Sequence, residues 1–143
     1  MAKTIVRYDR SAAFVAVMEG SSSCSLGDLV GIDASGTVQQ ATADSAATPL
    51  VAVGVAGWDA SAGARVLVLP RCVLHDTVGG LTQGATCYLS DTAGATTQTA
   101  NTTNGDLRQV VGVARSDEII DYAVVVSQFA FQTAATSTVA YAP

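Results

Sequence analysis

Apolar residues recur along this chain in short runs of four to seven, often alternating with small or polar residues and separated by Asp/Gly/Ser/Thr turns. That spacing predicts strands rather than helices. Asp28–Ile32 runs into the turn Asp33-Ala34-Ser35-Gly36 and out through Thr37–Ala41. Thr86–Leu89 runs into Asp91-Thr92-Ala93-Gly94 and out through Ala95–Thr99. An Asp opening a turn bonds its own downstream backbone, and Gly supplies positive φ, so both stretches predict hairpins. In Leu50–Ala56, Val51, Val53 and Val55 predict a core-filling face, while Ala52, Gly54 and Ala56 predict a face that admits a close neighbour. Arg108–Ala114 repeats this pattern. The continuous runs Arg65–Leu69 and Ala123–Val126 predict strands covered on both faces. The one helical candidate is a short turn over Ser116–Asp121. The class expected is all-β, a small antiparallel sandwich or barrel, jelly-roll-like, with extended terminal arms.

An internal repeat supports this reading. A shift of 58 places Asp33–Val68 over Asp91–Val126 without a gap, and ten of the 36 positions are identical, among them Val53-Gly54-Val55-Ala56 and Val111-Gly112-Val113-Ala114. Two copies are too few for a solenoid. They predict one β-domain over residues 12–127 containing two similar units, 33–68 and 91–126. Residues 1–11 form an N-terminal arm or edge strand, and residues 128–143 form an extended C-terminal arm.

Composition narrows the function. Of 143 residues, 13% are charged, about half the usual share, and the net charge is −5. An acidic chain with seven basic residues lacks the patch that nucleic acids or anionic membranes require. No apolar run approaches the 18–20 residues of a membrane span. Asp9 and Glu19, which flank the apolar stretch Ala12–Met18, argue against a secretory leader. Cys24, Cys72 and Cys87 form neither a C-x-x-C pair nor an even set. They read as free buried thiols of a protein made in a reducing cytoplasm.

Catalytic vocabulary is sparse. The single histidine, His75, has Asp76 as its neighbour, and adjacent strand residues point to opposite faces, so Asp76 is a poor orienter for a catalytic triad. Asp33 and Asp91 open loops resembling, in scrambled order, the Asp-Thr-Gly loop of aspartic proteases. The glycine is displaced in both, which makes an Asx-type turn the better reading. There is no P-loop and no G-x-S-x-G elbow. No enzyme activity, cofactor or metal is expected. Asn101-Thr102-Thr103 reads as a chance glycosylation sequon. Trp58, in a Gly/Ala/Ser-rich stretch, is either a binding anchor or a partly buried core residue.

The ends differ from the middle. From Tyr122 to Pro143 no residue is charged. This stretch reads either as an arm docking Phe129, Phe131, Val139 and Tyr141 on a neighbouring subunit, or as a final strand closing its own sheet. At the other end Lys3, Ile5, Arg7, Tyr8 and Arg10 read as an edge strand or a second arm that meets an acidic partner.

The stretch Gly80-Leu-Thr-Gln-Gly-Ala-Thr-Cys-Tyr-Leu-Ser-Asp-Thr-Ala-Gly94, a Thr-rich tract, and Gly105-Asp-Leu-Arg-Gln-Val-Val-Gly-Val-Ala114 resemble a segment recurring in tailed-phage virion proteins. The chain as a whole most resembles a capsid decoration, or cement, protein. That resemblance implies a β-domain on the capsid exterior that bridges neighbouring major capsid proteins, as a homodimer or homotrimer, after synthesis in the host cytoplasm. The alternative is a fibre or head-surface adhesin domain that binds host glycan, with Trp58 as its aromatic platform.

Overall fold

The computed structural model describes residues 3–126, 129–132 and 139–141, and its described residues form an antiparallel β-sandwich without a helix. One sheet runs β2 (Phe14–Val17), β6 (Arg65–Leu69), β5 (Gly54–Ala56), β3 (Leu29–Ile32), β4 (Val38–Gln40). The other contains β7 (Arg71–Asp76), β11 (Ile119–Ala123), β10 (Leu107–Ala114), β8 (Thr86–Leu89) and β9 (Thr96–Thr97), paired in that order. β1 (Lys3–Tyr8) lies outside β7, β12 (Phe129–Gln132) pairs the first half of β10, and β13 (Val139–Tyr141) pairs β12.

The two sheets are the same five-strand unit built twice in succession. In each, the first strand pairs the fifth, the fifth the fourth, the fourth the second and the second the third. The connectivity is therefore consecutive, not the interleaved order expected of a jelly roll. Register is preserved as well. The pairs Phe14↔Val68, Val15↔Leu67, Ala16↔Val66 and Val17↔Arg65 correspond to Cys72↔Tyr122, Val73↔Asp121, Leu74↔Ile120 and His75↔Ile119. The loop before β11 spans 115–118 and its counterpart before β6 spans 57–64. The ungapped sequence alignment therefore slips by four residues at the returning strand. This is why the helical turn expected over Ser116–Asp121 is a loop followed by strand from Ile119, and why Val125 and Val126 stand exposed instead of filling a buried strand.

The glycine shared by the Val-Gly-Val-Ala stretches has a steric cause. A Cβ on Gly112 would lie 2.3 Å from the Asp121 carbonyl oxygen, and one on Gly54 would lie 2.6 Å from Val68 Cγ1 and 3.0 Å from the Leu69 backbone. Each glycine lets the returning strand approach, so the close neighbour is the chain itself. The simple alternation expected over 50–56 is broken, because only Gly54–Ala56 is strand and Ala52 is fully buried.

The main core lies between the sheets. Leu29, Val55 and Leu69 meet Leu74, Leu89, Val111, Ile120 and Tyr122 there. A second cluster (Met18, Val30, Val38, Ala56, Val66 and Val68) fills the other face of the β2–β6 sheet. That sheet curls until its edge strands touch, Met18 bridging Val38 while the Glu19 N–H donates to the Val38 carbonyl at 2.9 Å. β6 is thus covered on both faces, as its continuous apolar run implies.

Hydrogen bonds lace the two units together. Leu29 N–H donates to the Gly94 carbonyl, Gly94 N–H to Ala41, Ala43 N–H to Ser90 and Leu107 N–H to Ala43, all at 2.8–2.9 Å. Gln109, fully buried on β10, accepts from Ala52 N–H and donates to Ala52 C=O, both at 2.9 Å. Its amide acts as a strand would. Gln109→Leu leaves both Ala52 groups buried without partners and is expected to cost about 2–4 kcal/mol, read as a lower urea midpoint with an unchanged m-value.

Candidate interaction face

β1, β7, β11, β10 and β8 are neighbours, and directly opposed residues share a face. The row Arg7–Val73–Asp121–Val113–Thr86 therefore crosses five strands on the solvent side of the larger sheet. Arg71, opposite Ala123, and the pair Val110–Tyr88 flank it. An open cleft of about 400 Å³ lies at the β1–β7–β11 end, lined by Arg7, Tyr8, Arg71, Asp121 and Tyr122. Val73 is in its wall.

Charge in this face is unevenly spent. Arg115 neutralises Asp121, its Nε lying 3.0 Å from Oδ2. Arg7 and Arg71 are both exposed, and neither is ion-paired among the described residues. Asp9, at the cleft rim, is held below the usual carboxylate range by hydrogen bonds from the Ser11 side chain and backbone, with a weaker pull from Arg71. Further along, the Arg108 guanidinium lies over the Tyr88 ring, 5.6 Å from its centroid. Val110 and Val113 remain 47% and 45% exposed. The result is an apolar strip with unpaired guanidinium groups at one end, the composition of a protein-binding patch more than of a small-molecule pocket.

The sequence-predicted residues distribute as follows. Arg7 and Tyr8 belong to the cleft, and Arg10 is exposed in the turn that follows. Ile5 packs against the main core, opposite Leu74. Lys3 is half-buried opposite Asp76, its aliphatic stem lying over Gly27. The N-terminal segment is an edge strand along Lys3–Tyr8. Phe129 packs on the core, and Phe131 is 41% exposed and meets Phe129 edge-on at 5.7 Å. The backbone of Val139 and Tyr141 runs opposite Gln132 and Ala130. In the C-terminal segment, residues 129–131 are thus paired along β10; 127–128, 133–138 and 142–143 lie outside the described residues. Trp58 is 43% exposed, its indole N–H donating to the Arg65 carbonyl at 3.0 Å, away from the cleft residues. Arg71 and the Val110–Val113 strip were not singled out by sequence. The signal for Arg71 was the Arg71–Asp76 strand, which the hydrophobic pattern hid because His75 and Asp76 end it, whereas Val110 and Val113 lie on β10, within the stretch Arg108–Ala114 that the pattern does predict.

The titratable groups that catalysis would need have structural partners. His75 Nε2 lies 2.7 Å from Glu118 Oε1, so its carboxylate is Glu118 and not Asp76, whose Oδ1 caps Val78 N–H. Asp33 accepts from Gln39 Nε2, Thr37 Oγ1, Thr37 N–H and Ser35 N–H, which lower its carboxyl to about 2. This is the Asx-type turn. Asp91 belongs to a different turn, where its carbonyl accepts from Thr42 Oγ1. Cys24, Cys72 and Cys87 are free and buried, and burial pushes the Cys72 thiol up to about 12. Among the described residues no cluster of three His, Cys, Asp or Glu side chains could hold a metal, and no helix is long and apolar enough to cross a membrane.

Comparison with known proteins finds no family model that matches this chain and no curated protein similar to it.

Because the folded state holds the Asp33 carboxyl below its ordinary 3.8, it binds fewer protons than the unfolded chain between pH 3.8 and about 2. The turn's contribution is complete above that window and is lost as pH falls through it. A carboxyl titration by NMR should place Asp33 near 2. The stability difference between wild type and Asp33→Asn, present at pH 6, should narrow as pH falls from 3.8 to about 2 and close only below that.

Proposed function

We propose that this chain is a structural virion protein that binds the outer surface of a phage capsid and bridges neighbouring major capsid proteins, with no catalytic role. The observation that carries the reading is the face just described, a rigid sheet surface that leaves Val110 and Val113 in solvent beside the unpaired Arg7 and Arg71. The phage-like stretch supports it from sequence: Gly80–Gly94 and Gly105–Ala114 form β8, its turn and β10, which carry the Thr86, Tyr88, Val110 and Val113 portion of that face. A decorator stabilises a shell by binding the assembled lattice better than free subunits, and many copies on one shell act together even when each contact is weak. An acidic strip on the capsid subunit would pair with the two guanidinium groups while the valines are buried at its centre.

Truncation of the C-terminal segment is not a clean test, because Phe129 and the 3%-exposed Ala130 are part of the body. Point changes on the exposed face are. Arg7→Glu with Arg71→Glu, and separately Val113→Lys, should leave the circular dichroism spectrum unchanged and reduce cosedimentation with expanded capsids at least tenfold, about 1.4 kcal/mol or more per copy. Wild-type occupancy by all three substitutions would overturn the reading.

A glycan-binding adhesin is the second reading, favoured by Trp58, whose ring is fixed by the bond to Arg65 yet stays exposed. It requires binding on a glycan array that Trp58→Ala abolishes and that the Arg7/Arg71 substitutions leave intact.

A further inference from the structure

The turn that leads into β10 sets a reactive pair side by side. Asn104-Gly105 is the only Asn-Gly step in the chain, and no Asp-Gly step occurs. Asp106 N–H donates to the Thr103 carbonyl at 3.1 Å, which closes a tight turn with Asn104 and Gly105 at its centre. Glycine is required there for two reasons. Its φ is +87°, and a Cβ would lie 3.2 Å from Ser45 Cβ. The position after Asn104 therefore carries no side chain to shield its backbone nitrogen.

That nitrogen is also free of competing bonds. Neither Gly105 N–H nor the Asn104 side-chain amide has a hydrogen-bond partner among the described residues, and Asn104 is exposed. The other asparagine, Asn101, is the contrast within the same loop. Its Nδ2 donates to the Leu107 carbonyl at 3.1 Å, and the β-branched Thr102 follows it. One asparagine is held and crowded; the other is loose beside an unshielded amide.

We propose that Asn104 of the folded chain converts spontaneously to aspartate and isoaspartate, and that the isoaspartate form loosens the seam between the two units. The Gly105 nitrogen attacks Asn104 Cγ and forms an N–Cγ bond. The Cγ–Nδ2 bond breaks, and Nδ2 leaves as ammonia with the proton that the Gly105 nitrogen gives up. Water then opens the resulting succinimide ring at either carbonyl. Opening at Cγ gives aspartate. Opening at the former backbone carbonyl leaves Cγ in the main chain as isoaspartate, with one backbone carbon more than before. Oxidation states do not change, and water is the only co-reactant.

The added carbon falls where the second unit grips the first. Ser45 donates its N–H to Asp106 Oδ1 at 2.9 Å and its hydroxyl to the Asn104 carbonyl at 3.3 Å. Next along, Leu107 N–H reaches the Ala43 carbonyl at 2.9 Å. Lengthening the main chain between Thr103 and Asp106 alters the spacing on which the turn and these bonds depend. Asp106 is 2% exposed, so its carboxylate, drawn off Ser45 N–H, is left buried without that donor. Either product also places a new negative charge two residues from Asp106.

The conversion needs no partner and does not rest on the capsid reading, so its failure would leave that reading untouched. Held folded in mildly alkaline buffer, the full chain should accumulate a more acidic species on isoelectric focusing. Peptide mapping with isoaspartate-specific methylation should place the change at Asn104. Asn104→Gln keeps an exposed amide but must close a larger ring, and should slow the conversion at least tenfold, about 1.4 kcal/mol in barrier. The separated isoaspartate form should unfold at a lower urea concentration than both wild type and freshly prepared Asn104→Asp, which carries the charge without the extra carbon. Three results would each overturn the proposal: a folded chain that stays unmodified while its urea-unfolded form converts, an acidic species that Asn104→Gln forms as fast as wild type, or an isoaspartate form with the wild-type urea midpoint.

Discussion

The constraint on which the rest of this structure depends is the satisfaction of backbone polar groups where the two units meet. The chain is rich in Ala and Val, and such side chains hold main chains close together instead of spacing them with bulk. Ala41, Ala43 and Ala52 are fully buried, so their N–H and C=O groups have no water to bond. Leu29 accepts from the Ala41 N–H, and the second unit supplies the other partners through Gly94, Ser90, Leu107 and the amide of Gln109. Asp106, 2% exposed, continues the seam by accepting from Ser45 N–H at 2.9 Å. Each bond adds only about 1 kcal/mol net, but each group left unpartnered costs more than that, which fixes how the units align.

Much of the architecture is legible in sequence because local chemistry and tertiary demand agree. Asp33 and Gly36 build the turn that their types imply, and Gly94 adopts the positive φ expected of it. The strands bracketing these turns fall within a residue or two of where the alternation puts them. What was hidden is instructive. β7 begins with an arginine and ends in His75-Asp76, so half of it looks like a loop, and its strand character comes from β1 and β11 on either side. The Ser116–Asp121 segment has a composition that suits a turn, but the shortened hairpin draws Ile119–Asp121 into pairing with β7 and β10. Local signals do not carry a deletion of four residues in a connecting loop.

The candidate face was half legible. Arg7 and Tyr8 stood out as basic and aromatic residues in a charge-poor chain, yet Arg71 comes beside them only through the β1–β7 register, and no sequence spacing encodes that register. Val110 and Val113 sit in a stretch whose apolar character pointed to the core. A bulge in the β8–β10 pairing lies between Val110 and Gly112. It breaks the two-residue alternation, so that Val111 is buried while Val110 and Val113 both stand in solvent. Trp58, which the sequence offers either as an anchor or as a partly buried core residue, sits on the loop before β6 and is 43% exposed.

The duplication also explains why the two sheets behave differently. A five-strand unit of this order has two outer strands, and each copy manages them in its own way. The first curls, closing Met18 onto Val38 around its own small core and leaving part of β2 open. The second receives β1 along β7 and β12 along the start of β10, and so extends into the broad surface on which Arg7, Val73, Asp121, Val113 and Thr86 line up. The added strands make the breadth: without β1 there is no Arg7 in the row and no wall to the cleft. One sequence pattern used twice thus yields a closed unit that gives the chain a second core and an extended unit that gives it a surface, and the difference lies in what the chain ends add to the edges.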